Sequence, residues 1–384
     1  MKKTSLFKWA DEVFSGPLCR ILTRPQNAPA DSVVPDNGAP LLLVRPGGLG
    51  DAIMTLPLLY ALRRAYPSHP VEVLAERRNG AVFDIAFPGI RVLSYDSEPL
   101  GTLRRLRRAR YAAVFDTEQF HGFSGILAAR TRAPVRIGFK VNARRNGLYT
   151  HLASYDLDGP EDAQFLRLLA ALGQDASSAP QRFGILAESV RLEANGAGTT
   201  LGPLGKSPYV LFHVGGSSPG KCWNAAKLAF VATTLLRERG LRPVIVGTRD
   251  DVSRANTVHG AILKWMTDPQ AGASAVTPDL EPVNLCGKTS LPVLARLCAG
   301  ARLLIGPDSG VAHLAYAVGT PTVVLFGPSD PRKWGPSPEH GAAVTNPVPC
   351  GPCAVFGYNK PCNTLSCLSG IRSDAVLEAA GRFL

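Results

Sequence analysis

Three stretches of this sequence concentrate residues able to handle anions and protons. In VRPGGLGDAIMTLP (44–57) an apolar run feeds a glycine cluster and then an apolar helix, the layout of a nucleotide-binding turn. Yet Asp51 stands at the mouth of that helix, where the partial positive charge of the N-terminus would otherwise attract a phosphate. In GPDSGVAHLAYAVGTPTVVLFGPSDP (306–331), Asp308 is placed to cap a helix starting near Ser309. Ser309 and Gly310 then leave backbone N–H groups open to a phosphate or diphosphate. His313, one turn further on, faces the same ligand and can hydrogen-bond a phosphate oxygen or a ribose. In HVGGSSPGKCW (213–223) an apolar strand ends in a small-residue loop, where backbone can approach a ligand, and Lys221 adds a point charge suited to phosphate. Each stretch also has a plainer reading: an aspartate that only caps its helix, a capped core helix with a satisfied histidine, and a solvated lysine.

A fourth cluster is made of thiols. Cys350, Cys353, Cys362 and Cys367 read C-x2-C-x8-C-x4-C, which suits a tetrahedral zinc or iron site. Reduced cysteines without metal, and redox disulfides, are the other two readings. Cys19, Cys222, Cys286 and Cys298 are scattered and read as small buried hydrophobes.

These residues need a scaffold, and the chain supplies the pattern for one. Its 384 residues are 45% hydrophobic and 19% charged, enough for two domains with separate cores. Strands are expected at 41–45, 71–75, 91–95, 111–116 and 135–139, with helices at 51–66, 100–109 and 119–130 between them. A second cycle sets strands at 209–214, 243–247, 283–286, 302–306 and 321–327, with helices at 225–238, 290–300 and 309–318. The alternation predicts an α/β protein of two tandem Rossmann-like domains with parallel sheets, whose ligands gather at the carboxyl ends of the strands and in the cleft between the domains. The expected boundaries are an N-terminal amphipathic helix and linker over 1–39, a first domain over 40–185, a connection over 186–207, a second domain over 208–345, and a Cys-rich segment with a C-terminal helix over 346–384.

Composition narrows the partners. The formal charge is +12, from 42 Lys+Arg against 30 Asp+Glu, which favours anions. No run approaches the roughly 18–20 apolar residues that cross a bilayer, and the N-terminus lacks the core and cleavage site of a signal peptide. Leu6, Ala10, Val13, Phe14, Leu18, Ile21 and Leu22 recur at helical spacing, as expected of a helix packed on the domain or one lying on a membrane surface. Gly202–Ser207 mimics the end of a phosphate loop, but Thr200 stands where the first glycine is required. Arg104, Arg105, Arg107, Arg108 and Arg110 would suit nucleic acid by charge alone; no interleaved aromatics support base stacking, so nucleic acid is not the expected partner.

Taken together, RPGGLGDAIMTLPLLYALRRAYP, GGSSPGKCW and GPDSGVAHLAYAVGTPTVVLFGPSDP resemble glycosyltransferase family 9, the ADP-heptose:lipopolysaccharide heptosyltransferase family, over roughly residues 41–345. The resemblance implies the GT-B fold and an inverting, metal-independent transfer of heptose from ADP-heptose to a lipopolysaccharide core acceptor of the lipid A–Kdo type. It implies Asp51 as general base, Gly216, Ser217 and Lys221 as donor-phosphate contacts, with Lys221 also catalytic in stabilising charge on the departing ADP, and Asp308, Ser309, Gly310 and His313 at the nucleotide sugar. Arg77, Arg78, Arg136, Lys140, Arg144 and Arg145 are loose counterparts of the family's acceptor-binding cations. No catalytic cofactor is expected; zinc or iron at the cysteine cluster would be structural. The expected partners are an ADP-sugar donor, an anionic glycolipid acceptor and an anionic membrane face. The place of action is then the cytoplasm, peripheral to the inner face of the cytoplasmic membrane. The cysteine cluster departs from the plain core-heptosyltransferase pattern and leaves open a protein or other glycan acceptor, and a noncatalytic polyanion-binding protein of the same fold is a further alternative.

Overall fold

The computed structural model describes residues 11, 15–22, 33–196, 204, 207–216, 219–267, 278–355 and 362–384. The chain divides into two compact units, Met1–Arg182 and Phe183–Leu384. In the first, β1 (Leu41–Arg45), β2 (Val71–Ala75), β3 (Arg91–Ser94), β4 (Ala113–Asp116), β5 (Val135–Phe139) and β6 (His151–Ala153) form an all-parallel sheet of order β3-β2-β1-β4-β5-β6. β1, β2 and β4 are buried along their whole length, and their charged residues Arg45, Glu72 and Asp116 are buried with the apolar ones. The helices are α1 (Leu49–Met54), α2 (Leu56–Ala65), α3 (Ala81–Ala86), α4 (Pro99–Arg108), α5 (Gly122–Arg130), α6 (Ala143–Asn146) and α7 (Glu161–Ala170).

One expected element divides in two. The single helix over 51–66 starts earlier, at Leu49, and breaks at Thr55. Pro57 has no N–H to return to the Ile53 carbonyl, and Thr55 instead turns both its N–H (3.1 Å) and its hydroxyl (2.7 Å) onto the Ala52 carbonyl. The short α1 therefore carries Asp51 on its own first turn.

In the second unit, α8 (Ala187–Gly196) precedes β7 (Tyr209–His213), α9 (Ala225–Arg239), β8 (Arg242–Val246), α10 (Val252–Met266), β9 (Val283–Asn284), α11 (Leu291–Gly300), β10 (Leu303–Pro307), α12 (Gly310–Ala317), β11 (Thr322–Phe326), α13 (Pro331–Trp334), β12 (Gly341–Thr345), α14 (Ser366–Ser369) and α15 (Ser373–Gly381). The sheet is again six-stranded and parallel, of order β12-β11-β10-β7-β8-β9. Its core packs Phe212, Ile245, Leu303 and Ile305 against Leu228, Val258 and, from α15, Val376. Residues 183–196 belong to this unit: Gly184 and Leu186 donate their N–H groups to the Tyr316 and Ala317 carbonyls, and α8 packs on α11. The span expected as a connection over 186–207 thus begins as a helix of the second unit.

At the N-terminus, residues 15–22 are helical and lie on α5, with Cys19 buried beside Ile126 and Leu148. The Asp11 carboxylate accepts the N–H groups of Gly122 (3.1 Å) and Phe123 (2.7 Å), an anion on the positive end of α5. Leu6, Ala10, Val13 and Phe14 lie outside the described residues. Among the described residues no helix is long and apolar enough to cross a membrane.

Charged groups are buried where β1 and β4 end. Arg45 faces Glu118 at 3.5 Å. Asp116 and Arg145 are fully buried and paired at 2.6 Å, and the Tyr149 hydroxyl donates to the same carboxylate oxygen at 2.6 Å. The Tyr149 ring lies over Gly138, where a Cβ would stand 2.5 Å from it, so only glycine admits the ring. Removing one partner of such a pair leaves the other charge buried and alone. Arg145→Ala is therefore expected to cost about 3–5 kcal/mol of unfolding free energy, read from denaturant midpoints. A change within about 0.5 kcal/mol, as for an exposed residue, would mean the pair carries no stability.

Candidate active site

The glycine loop after β1 is closed to anions by its own carboxylates. The Gly47 N–H donates to Glu76 Oε1 at 3.0 Å, and the Gly48 N–H to Asp51 Oδ2 at 3.0 Å. Glu76, at the end of β2, also accepts the Tyr95 hydroxyl (2.8 Å) and pairs with Arg78 (2.5 Å). Burial, and then the Glu76 charge, raise the Tyr95 phenol well above its ordinary pKa, so it stays a donor. Asn79, fully buried, returns its amide to the Arg45 carbonyl and fixes the loop from behind. Asp51 thus does cap its helix, but with one oxygen; Oδ1 has no hydrogen bond among the described residues. Glu76 and Asn79 were missed in the sequence. Their signal was position alone, just past the carboxyl end of a strand beside the glycine loop.

The second unit presents the opposite charge. Lys221, which ends a short 3₁₀ turn (Pro219–Lys221) after β7, donates to Asp308 Oδ2 at 2.6 Å. The Ser329 hydroxyl donates to the same oxygen at 2.6 Å, and His313 Nε2 lies 3.4 Å from Asp308 Oδ1. Gly216 permits this turn, since a Cβ there would stand 2.9 Å from that of Lys221. Burial alone would raise the Asp308 carboxyl, but the hydrogen bonds and charges of His313 and Lys221 outweigh it and hold the carboxyl well below the usual carboxylate range. Asp308 is not the helix cap expected of it. Ser309 caps α12, its hydroxyl accepting from the Ala312 N–H at 3.4 Å, and Asp308 is left to orient the lysine and the histidine. No described acceptor takes the Gly310 and Val311 N–H groups at the positive end of α12. Lys221, Asp308, Ser309, Gly310, His313 and Gly216 therefore come together, Ser329 joins them unforeseen, and Ser217 lies outside the described residues. Beneath them His213 is buried, with Nδ1 3.2 Å from the Val246 carbonyl; burial lowers its pKa, making it a neutral core residue.

The expected acceptor cations separate into two groups. Arg77, Lys140 and Arg144 are exposed, and Arg78 is half exposed beside Glu76. Arg145 is the buried partner of Asp116 and is withdrawn from the set. So is Arg136, which sits at the start of β5 and spends its guanidinium on the carbonyls of Leu148 (2.8 Å) and Ala133 (2.6 Å).

The four clustered cysteines share a neighbourhood. Burial raises the Cys367 thiol, and charge on Cys353, Cys362 and Cys350 adds to the effect. Cys362 is exposed, and the Leu365 N–H at 3.4 Å lowers its thiol pKa. Yet among the described residues no three His, Cys, Asp or Glu side chains are grouped to hold a metal ion. Of the scattered cysteines, Cys19, Cys286 and Cys298 are buried as expected and Cys222 is half-buried.

Two units, each a six-stranded parallel Rossmann-like sheet covered by helices, are the build of the GT-B glycosyltransferases. A sequence profile of glycosyltransferase family 9 (heptosyltransferase) matches residues 101–362, more than half of the chain, and the protein belongs to that family. It is similar to lipopolysaccharide heptosyltransferase 3 of Escherichia coli, 26% identical over 308 residues that cover 75% of this chain and 83% of that one. Among solved structures, the E. coli ADP-heptose lipopolysaccharide heptosyltransferase II aligns with a TM-score of 0.64 at 20% identity, over 90% of this chain and 98% of that one. The iron-containing dodecameric glycosyltransferase TibC of enterotoxigenic E. coli aligns at 0.53 and 18% identity, over 90% and 76%. These structures share its fold, and the protein is a glycosyltransferase.

The lowered Asp308 pKa has a sign that can be checked. Its stabilisation is fully present above the unfolded carboxylate value of about 4 and is lost as pH falls toward the lowered native value. Asp308→Asn should therefore be less stable than the parent at pH 7, with a gap that narrows at pH 3 in urea unfolding. A gap that does not change with pH would rule out an ionised Asp308 as its source.

Proposed function

We propose that this transferase moves heptose from ADP-heptose to a lipopolysaccharide core acceptor of the lipid A–Kdo type, with inversion and without a divalent metal, at the inner face of the cytoplasmic membrane. The observation that carries this reading is the unequal treatment of anions by the two glycine loops. In the first unit the Gly47 and Gly48 N–H groups are taken by Glu76 and Asp51. In the second, Lys221 and the end of α12 meet at Asp308 with N–H groups to spare. A diphosphate therefore goes to the second unit, and the first contributes the base.

In the step that follows from this division, Asp51 Oδ1 takes the proton of the acceptor hydroxyl as its oxygen bonds the anomeric carbon. The bond from that carbon to the diphosphate breaks on the opposite face through an oxocarbenium-like transition state, and its electron pair leaves with ADP. Lys221, Gly310 and the end of α12 stabilise the charge that develops there, His313 holds a phosphate or ribose oxygen, and Asp308 keeps the lysine and histidine oriented. Arg77, Arg78, Lys140 and Arg144 remain to meet the acidic acceptor. The similarity to a lipopolysaccharide heptosyltransferase supports the donor and acceptor class. The cysteine cluster favours a second reading, in which the same donor chemistry serves a protein or another glycan.

A donor screen by thermal shift and hydrolysis should rank ADP-heptose above UDP-sugars. Asp51→Asn is expected to lower turnover by roughly 10²–10⁴-fold while donor affinity stays within a few-fold. Lys221→Ala should weaken both. Calorimetric titration with ADP, alongside transfer rates, separates the two, and an Asp51→Asn enzyme that loses donor affinity but keeps its turnover would remove Asp51 from the role of base.

A further inference from the structure

Among the described residues, the outward face of α4 and its neighbours has no partner. On α4, Thr102 and Leu106 face inward and Arg105 pairs with Glu72, whereas Leu100, Leu103, Arg104, Arg107 and Arg108 recur at helical spacing on the opposite side and are exposed. α4 packs against α5, and Tyr95, just before α4, meets Phe123 of α5 edge-on at 5.8 Å. Residues 15–22 lie against α5 as well. Along this row Leu100 is 69% and Ile21 77% exposed, with Leu18, Leu103, Phe120 and Phe123 also open to solvent. Arg104, Arg107, Arg108 and Arg110 are exposed beside them, and none has an ion pair among the described residues.

We propose that this row, residues 15–22 with α4 and the start of α5, is the surface by which the protein docks on an anionic bilayer. This deepens the reading that the acceptor is a membrane-borne glycolipid and rests on it for its biological sense, though not for its chemistry. Unpaired arginines meet the negative lipid headgroups, each contributing about 1 kcal/mol near such a surface. The leucine, isoleucine and phenylalanine side chains between them reach the headgroup–acyl boundary, where apolar area leaves water. A polyphosphate chain would satisfy the arginines equally well, and Phe120 and Phe123 offer rings to a base, but nucleic acid has no use for Leu100 and Ile21, the most exposed apolar side chains of the row.

The test is co-sedimentation of the full chain with vesicles, one set of phosphatidylcholine and one with 30% phosphatidylglycerol, taken here as roughly the anionic content that sets the surface potential. Neither contains glycolipid or donor. The parent is expected to bind the anionic set, and less so as salt rises. Arg104→Ser/Arg107→Ser/Arg108→Ser should bind on the order of a hundredfold more weakly, and Ile21→Ser/Leu100→Ser roughly tenfold or more. Both variants should keep the parent's unfolding midpoint and its rate of donor hydrolysis, since these side chains touch neither the core nor the donor site. Equal binding to both vesicle sets, no binding, an unchanged triple variant, or retention on duplex DNA in place of vesicles would each overturn the assignment. Vesicle binding without transfer to a detergent-dispersed glycolipid would sink the acceptor reading and leave the docking surface standing. Transfer without vesicle binding would do the reverse.

Discussion

The site in the second unit depends on one contact, Lys221 Nζ against Asp308 Oδ2 at 2.6 Å. Asp308 is 7% exposed, and a lone carboxylate at that depth would be protonated or destabilising. The lysine, with His313 and Ser329, keeps it ionised. In return it gives a flexible four-carbon side chain a single direction. A cation aimed in advance loses less entropy on meeting a phosphate than one that must first be gathered from solvent. The small residues before Lys221 and the strand that delivers Asp308 make sense as supports for this pair.

The first unit solves a different problem with similar parts. Its glycine turn has the geometry that elsewhere collects phosphate, so the exposed N–H groups must be answered if phosphate is to go to the other unit. Glu76 and Asp51 answer them. The Tyr95 hydroxyl and Arg78 occupy the rest of Glu76, which makes the turn a closed circuit of hydrogen bonds. Asp51 joins it through one oxygen only, and so can be held in place by its backbone while its other oxygen is spent on chemistry.

Much of this is legible in the sequence. Strands buried on both faces, such as Leu41–Arg45 and Tyr209–His213, announce themselves as apolar runs, and the glycine and serine turns mark where they end. The edge strands His151–Ala153 and Gly341–Thr345 do not: the first has three residues, and the second, Gly-Ala-Ala-Val-Thr, is half-buried and lacks large apolar side chains. The long α10 was overlooked since its buried side is thin, with Ala255, Val258 and Ile262 as its buried residues. For the site, chain order alone placed Lys221, Ser309 and His313 near one another. It could not reveal that Arg145 and Arg136 turn inward, because an arginine that neutralises a buried aspartate reads the same as one that greets a substrate. Nor could it show that Ser309 rather than Asp308 caps α12, a choice made by the depth at which the aspartate lies.

The Tyr149 ring that lies over Gly138 has a bearing on descent as well as on packing. Its hydroxyl completes the buried pair of Asp116 and Arg145, so these four positions form one unit of inheritance. A lineage that replaced the glycine would have to give up the tyrosine, and with it the hydroxyl that shares the Asp116 carboxylate with Arg145. Across relatives, the four should be retained together or exchanged together for an uncharged, repacked quartet.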